Sequence, residues 1–449
     1  MSLLGEAAVV QDPNTSVAHS GDWSEAIKVS PSIVLFPRTP QQVADALAIC
    51  SRHSKKVVVQ GGLTGLAGGA TPKTGEVALS LAKLNVIEDI DLVGGTAIVQ
   101  AGVILETLQQ KVEEQGWCFP LDLGARGSCQ IGGNAAVNAG GNRVIRYGVM
   151  RQLTLGIEVA LPDGRLIDMM NRVTKNTTGI DLKHLFIGSE GTLGVITRIV
   201  VQLFPKPSVA CTALCALPSF DAATDLIREC RSSLPSLSAF EVMWHDFVSA
   251  AREIAHLRPP FEVGAPVYVL METLGTDEAS ERAQLERVLG TAIERGMVSD
   301  AIVAQSLDES ERLWIYRETV GELLSALKPH AAFDVGIPMA SMEKFVERVR
   351  YELTRDFPAR KHLFFGHIGD GNLHVLSGPY KDEAALHHVE ELVYNAVRDF
   401  GGAISAEHGI GVVKRDFLNN SRSDQEVSLM ADLKRLFDPA EILNAGRVI

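Results

Sequence analysis

The sequence predicts an α+β protein in two parts, on three observations. Glycine supplies 40 of the 449 residues, and its excess is clustered in the first 200, where strands run into glycine loops. From about residue 208 glycines thin out and strands alternate with long amphipathic helices, as when helices cover one face of a sheet. Between the two regions, Gly194–Phe204 reads as a long β-branched strand stopped by Pro205 and Pro207, a natural boundary. The length allows two or three domains at about 150 residues each.

In chain order, Ile33–Phe36 reads as a short strand. Pro40–Ser54 reads as a helix with Val43, Ala46, Leu47 and Cys50 on one face. Val57–Val59 is a strand entering the first glycine loop, and Val77–Leu81, again a strand, leaves it. Ala97–Ala101 is a strand and Leu105–Glu114 a helix ended by Gly116. Leu153–Leu161 and Leu166–Met169 make a hairpin across Pro162-Asp163-Gly164. In the second part, Thr212–Ala216 precedes a helix over Phe220–Ser232, Val267–Met271 precedes Ala279–Arg295, and Ala301–Gln305 precedes Glu309–Leu327. A last helix over Asp424–Phe437 leads to the tail Asn444-Ala445-Gly446-Arg447.

Composition narrows the function. Lys plus Arg (42) less Asp plus Glu (55) gives −13, spread without a long acidic run, which argues against binding a phosphate backbone. No stretch reaches the 18 or so uncharged apolar residues of a membrane span. The N-terminus lacks the basic region and long apolar core of a signal peptide. Cys50, Cys118, Cys129, Cys211, Cys215 and Cys230 form no C-x-x-C pair, so no zinc knuckle or iron–sulfur cluster is indicated. A reduced, soluble, cytoplasmic protein is expected.

The glycine runs are Gly61-Gly62-Leu63-Thr64-Gly65 with Gly68-Gly69, then Gly132-Gly133-Asn134, Gly140-Gly141 and Gly188-Ser189-Glu190-Gly191 with Gly194. None fits G-x-G-x-x-G, and no helix follows the first loop, so the dinucleotide site of a Rossmann fold is excluded. The Walker sequence is absent too. A strand–loop–strand can present successive N–H groups as an anion nest, or it can simply be a set of tight turns. Four clusters in one region favour a large anionic ligand.

Three segments in order, VVVQGGLTGLAGGA, PLDLGARGSCQIGGNAAVNAGGNRVIRYG and FIGSEGTLGVIT, resemble the FAD-binding domain of the vanillyl-alcohol oxidase / p-cresol methylhydroxylase superfamily. More narrowly, residues 30 to 449 are similar to its D-2-hydroxyacid dehydrogenase branch, which includes D-lactate and D-2-hydroxyglutarate dehydrogenases. The resemblance implies an FAD-binding domain of two subdomains over residues 1–207. It implies an α+β substrate or cap domain with an antiparallel sheet over 208–410, and a C-terminal segment, 411–449, returning to the first. The family's pyrophosphate loop then falls on Gly61, Gly62, Leu63, Thr64 and Gly65. Its second FAD segment falls on Pro120, Leu121, Ser128, Gly132, Gly133 and Asn138, and its third on Glu190, Gly191 and Ile196, with Asn444 in the tail. Some relatives attach FAD to a histidine in the first loop. None occurs between His53 and His184, so non-covalent FAD is expected.

Reactive side chains concentrate in His367-Ile368-Gly369-Asp370-Gly371-Asn372-Leu373-His374 and in Ser405-Ala406-Glu407-His408-Gly409. The first reads as a hairpin with a four-residue turn. If Ile368 pairs with Leu373, His367 and His374 face each other with Cβ atoms about 4.5–5.5 Å apart, close enough to share a metal. The bland alternative is a polar turn with two unrelated histidines. The resemblance implies that His367, His374 and Glu407 hold a divalent metal, zinc being expected and Mn²⁺ or Fe²⁺ also suited. It further implies that His408 is the base and that Arg317 contacts the substrate carboxylate. Bringing both Glu407 and His408 to one site needs a bent loop, for which Gly409 and Gly411 are placed.

The chain departs from D-2-hydroxyglutarate dehydrogenases at three places where the family pattern has threonine, lysine and asparagine. Here they are Gly321, Ala332 and Leu376. That favours D-lactate or a longer alkyl-tailed acid over a dicarboxylate, unless Lys328 or His330 compensates. The expected activity is FAD-dependent, metal-assisted oxidation of a D-2-hydroxy acid to the 2-oxo acid, with D-2-hydroxyglutarate as the alternative substrate. An electron-transferring flavoprotein, a quinone or a cytochrome would accept the electrons, and a homodimer is possible. The rivals are a flavin oxidase using O₂ and a non-catalytic, electron-shuttling flavoprotein subunit.

Overall fold

A computed structural model describes residue 5, residues 8–24 and residues 26–449; the opening residues read for a leader lie partly outside them. The fold is α+β. The chain divides into two compact units, the first formed by residues 1–141, 147–206 and 407–449, the second by 142–146 and 207–406.

The first unit holds two sheets. β1 (Val9–Val10), β2 (Val34–Leu35), β3 (Val57–Gln60) and β4 (Val77–Ser80) form one sheet in the order β1-β2-β4-β3. The β2–β4 and β3–β4 pairs are parallel, so each connection must cross over. The first crossover is the helix Pro40–Arg52. Thr39 caps it by accepting the Gln42 N–H, Pro40 occupies its first turn, and Val43, Ala44, Ala46, Leu47 and Cys50 are buried. Its apolar face is the one the 3.6-residue period marks.

The chain continues through β5 (Ile87–Asp91), β6 (Thr96–Gln100), β7 (Trp117–Cys118), β8 (Thr154–Ala160), β9 (Leu166–Met169), β10 (Val195–Gln202) and β11 (Phe204–Pro205). The second sheet is antiparallel in the order β5-β6-β10-β8-β9, and β7 pairs with β11 alone. β8 and β9 form the expected hairpin, with Ala160 opposite Leu166. Leu105, Leu108 and Val112 of the helix Leu105–Glu113 pack with Val99, Ile157 and Ile199 in one core.

The second unit is built on a seven-stranded antiparallel sheet. Its strands are β12 (Val209–Leu217), β13 (Leu237–Trp244), β14 (Val267–Gly275), β15 (Asp300–Val303), β16 (Ala331–Gly336), β17 (Lys361–Gly366) and β18 (Asn372–Gly378), in the order β15-β12-β14-β13-β17-β18-β16. β13 and β16 do not stand out in the sequence, because β13 is buried along its whole length and such a strand has no alternation to read. The helix expected over Glu309–Leu327 is two helices, Leu307–Glu318 and Val320–Ala326. Thr319 breaks it: its hydroxyl bonds back to the Ile315 carbonyl at 2.6 Å, a competition with the helix ladder open to β-branched hydroxyl residues.

The tail is fastened by buried charge. The Lys434 ammonium donates to the Thr192 carbonyl, the Asp438 carboxylate and the Leu443 carbonyl. Arg447, fully buried, pairs with Glu76 at 2.7 and 3.0 Å. Removing one partner of a buried pair strands the other charge and costs about 3–5 kcal/mol. Arg447→Ala should therefore lose about that much stability, read as a lower denaturant midpoint with an unchanged slope.

Candidate functional site

Close backbone approach gathers the glycine segments of the first unit. A Cβ on Gly62 would stand 2.1 Å from the Ser128 carbonyl oxygen, and one on Gly132 would stand 2.5 Å from the Ala101 Cβ. Neither position admits a side chain. Leu63 takes φ +58, holding the loop in a left-handed turn. Gly132 and Gly133 lie in a short helix, Ile131–Ala136, where their poor helix propensity hid it from the sequence. The Glu190 N–H then donates to the Ala136 carbonyl at 2.8 Å, which brings up the third segment.

Asn444 ties these pieces together. Its Oδ1 accepts the Val59 N–H at 2.9 Å, and its Nδ2 donates to the Glu190 carbonyl at 2.6 Å. Gly191, at φ +71, would bring a Cβ to 3.1 Å from that Nδ2. Asn138 takes φ +54 and accepts the Arg151 N–H. Not every expected residue is a loop residue: Leu121 and Ile196 belong to the apolar core of the second sheet, and Pro120 is buried beside Leu121. Gly61, Thr64 and Gly65 complete the first loop.

The side chain of Glu190 has a task the sequence does not suggest. Its carboxylate accepts the N–H groups of Ile410 (2.7 Å) and Gly411 (2.9 Å). Burial pushes its carboxyl up from the ordinary range, opposed by those two N–H groups. Gly409 (φ +79) and Gly411 (φ +53) give this turn its bend, immediately after Glu407 and His408.

The three segments fit FAD. Gln130 Oε1, Asn134 Oδ1 and Ser189 Oγ are buried on them without a hydrogen-bond partner, and buried polar atoms call for one. A large ligand rich in hydrogen-bonding groups would supply it, and the glycines let the segments that carry these atoms pack backbone against backbone.

The second unit carries His367, His374 and Arg317. The hairpin differs from the expected one: Phe365, not His367, stands opposite His374, a register shift of two residues. The connection is a 3-10 turn over Ile368–Asp370 closed by Gly371 at φ +87. A shift of two keeps the face, and the His367 and His374 rings still lie 5.4 Å apart, edge to face. The His374 ring stacks on Phe365 at 5.1 Å, and the Arg317 guanidinium sits over the same Phe365 ring at 4.7 Å.

Glu241, in the middle of β13, is the residue sequence reasoning missed. Fully buried, it accepts the His367 Nδ1–H at 2.6 Å and the Arg317 Nε–H at 2.8 Å. Burial alone would raise its pKa, but the Arg317 charge and the hydrogen bonds from His367 and Arg317 hold it below the ordinary range. With Nδ1 donating, His367 presents the Nε2 lone pair, and Arg317 Nη2 lies 3.3 Å from that nitrogen. The one signal in the sequence was a lone carboxylate inside the apolar run Leu237–Trp244.

Beside His374, Asp334 is fully buried and accepts from Asn372 Nδ2 and the Ser405 hydroxyl. The Ala406 N–H bonds its carbonyl, and Glu407 and His408 follow in the chain. One ligand atom from each of His367, His374 and Glu407 lies within 4.8 Å of the others; Asp334, Glu407 and His408 make a second such group. Two imidazoles and a carboxylate suit a divalent metal with open positions.

Comparisons with known proteins agree with this description. Residues 31–170 match the FAD binding domain family, and residues 206–448 match the C-terminal domain of FAD linked oxidases. A probable D-2-hydroxyglutarate dehydrogenase, mitochondrial, of Oryza sativa subsp. indica is 39% identical over 100% of this chain and 80% of its own length. The mitochondrial D-2-hydroxyglutarate dehydrogenase of Bos taurus is 39% identical over 98% of this chain and 81% of its own. In fold, the chain matches a solved p-cresol methylhydroxylase with a TM-score of 0.76, at 16% identity, over 100% of this chain and 95% of that one. These names overturn one expectation: both the plant and the animal relative are called mitochondrial, so the cytoplasmic placement read from composition is withdrawn. Composition and cysteine usage carry no information about organelle. Among the described residues no helix is long and apolar enough to cross a membrane.

The cradle makes a direct prediction. Gly62→Ala forces the loop away from Ser128, and overpacking of that kind costs about 1–3 kcal/mol. The purified variant should hold FAD at least about tenfold more weakly than the parent, measured by flavin fluorescence released on dilution.

Proposed function

Because the chain belongs to the FAD-dependent D-2-hydroxyacid dehydrogenases of the FAD linked oxidase family, we propose that it oxidises D-2-hydroxyglutarate to the 2-oxo acid with the help of a divalent metal. The observation that carries the metal reading is the convergence of His367, His374 and Glu407 beside an arginine already oriented by Glu241. The names and full-length identity of the relatives support the substrate.

FAD, held non-covalently on the Gly61–Gly65, Ser128–Asn138 and Glu190–Gly191 segments with Asn444, supplies the hydride acceptor. His367, His374 and Glu407 would hold a divalent metal, zinc matching the donor set, which would supply a Lewis acid that lowers the pKa of the substrate hydroxyl. Arg317 donates its Nε–H to Glu241, leaving the N–H groups of its two terminal nitrogens for the substrate's 1-carboxylate. A planar fork held in this way orients the acid better than lysine could. His408 takes the hydroxyl proton as general base. An electron-transferring flavoprotein, quinone or cytochrome then takes the electrons.

A second reading, an alkyl-tailed acid such as D-2-hydroxybutyrate, is favoured by one specific feature. On the face of β18 that carries His374, the next side chain is Leu376, paired with Ala332 on β16 and Leu363 on β17. Leu376 and Leu363 belong to an apolar core with Leu323 and Leu327. Burying a methylene there gains about 0.8 kcal/mol, whereas a carboxylate without a partner costs several kcal/mol.

Two measurements test these readings. His374→Ala should abolish turnover and lower metal content while FAD stays bound, because the two groups use different segments; undiminished activity after rigorous chelation would make the histidines structural. With a dye acceptor, kcat/KM for D-2-hydroxyglutarate should exceed that for D-2-hydroxybutyrate at least about tenfold, or ~1.4 kcal/mol. The reverse order would assign the alkyl-tailed acids.

A further inference from the structure

We propose that Glu241 is a positioning residue that sets His367 and Arg317 jointly, so that one carboxylate governs both metal retention and recognition of the substrate carboxylate. The inference rests on the metal site and the role of Arg317 proposed above, and goes beyond both. Each Glu241 oxygen has one partner: Oε1 accepts from His367 Nδ1 at 2.6 Å, and Oε2 accepts from Arg317 Nε at 2.8 Å. The first bond fixes the imidazole tautomer and ring plane, leaving Nε2 to a metal. Such outer partners of a ligating histidine typically control metal affinity tenfold to a hundredfold.

The second bond fixes the guanidinium plane at its inner edge and sets Nη2 3.3 Å from His367 Nε2. Phe365 completes the frame, with Arg317 over its ring and His374 stacked on it. The His367 and Arg317 side chains are thus indexed to the same carboxylate and the same strand pair. β13 and β17 pair only at Val242 with Gly366 and Met243 with Phe365, next to Glu241 in the chain.

Chemistry distinguishes this from a plain structural ion pair. Glutamine offers one acceptor and one donor, but both His367 Nδ1–H and Arg317 Nε–H need acceptors, so one contact must be lost. Aspartate keeps both acceptors and the charge but is one methylene short of spanning the two partners. An ion pair that served stability alone would change the unfolding midpoint and leave ligand affinities where they were.

Glu241→Gln and Glu241→Asp are to be purified with FAD bound. Zn²⁺ affinity is measured by competition with a chromophoric chelator. Carboxylate recognition is measured as the Kd of 2-oxoglutarate from the flavin spectrum, and as KM against kcat for D-2-hydroxyglutarate. The expected result for Glu241→Gln is Zn²⁺ binding weaker by about 10–100-fold together with a Kd and KM raised at least about tenfold, and Glu241→Asp should fall between it and the parent on both scales. Flavin-loaded variants whose Zn²⁺ affinity and Kd both stay within about twofold of the parent, or in which only one moves, would overturn the coupling. If Glu241→Gln does not fold, Glu241→Asp decides by the same criteria. A parent that binds no Zn²⁺ overturns the metal site and this inference with it, whereas a metal-binding parent with unaffected variants overturns the inference alone.

Discussion

Everything reactive in the second unit is arranged around one buried carboxylate. Glu241 lies fully buried in β13, where an ionised group without partners would be untenable. It is tenable because His367 and Arg317 each give it a hydrogen bond and Arg317 adds a complementary charge. Such pairs rarely add net stability over an apolar replacement, since desolvation consumes the Coulombic gain. What the arrangement provides is orientation: an imidazole with a defined tautomer and a guanidinium with a defined plane, both packed about Phe365.

The first unit obeys a different constraint. Its glycine segments pack backbone against backbone, which is possible only where glycine removes the Cβ. Gly62 against Ser128, Gly132 against Ala101 and Gly141 against Asp122 are close approaches of this kind. The tail completes it from the far end of the sequence: Asn444 bridges Val59 and Glu190, and residues 442–444 run alongside β3 through the Val57–Ile442 and Asn444–Val57 bonds. Buried Lys434 and Arg447 hold that tail in place, so a charge network far along the chain supports the glycine loops.

How much of this was legible in the sequence depended on range. Local signals were: the helix starting at Pro40, the Pro162-Asp163-Gly164 hairpin, the helix over Asp424–Phe437 and the glycine segments all stand where their residues put them. Signals that depend on distant partners were not. Glu241 meets Arg317 76 residues on and His367 126 residues on, so nothing nearby marks it except its improbable place in an apolar run. The hairpin register was misread because a 3-10 turn uses residues that a tighter turn would leave in the strands. The break in the helix after Arg317 is not legible because threonine is tolerable inside helices, and only the bond of the Thr319 hydroxyl to the Ile315 carbonyl marks the end. The substrate's tail is the least legible of all, since Gly321, Ala332 and Leu376 say what is missing from a wall and not what replaces it.

The central claim is that electrons pass from a D-2-hydroxy acid to FAD on this chain. Mixing the flavin-loaded protein anaerobically with D-2-hydroxyglutarate and following the oxidised flavin band tests it most directly. Rapid bleaching is expected with the D enantiomer, slowed strongly by chelation, and none with the L enantiomer. A flavin that stays oxidised with every D-2-hydroxy acid offered, in protein shown to hold FAD and metal, would contradict it.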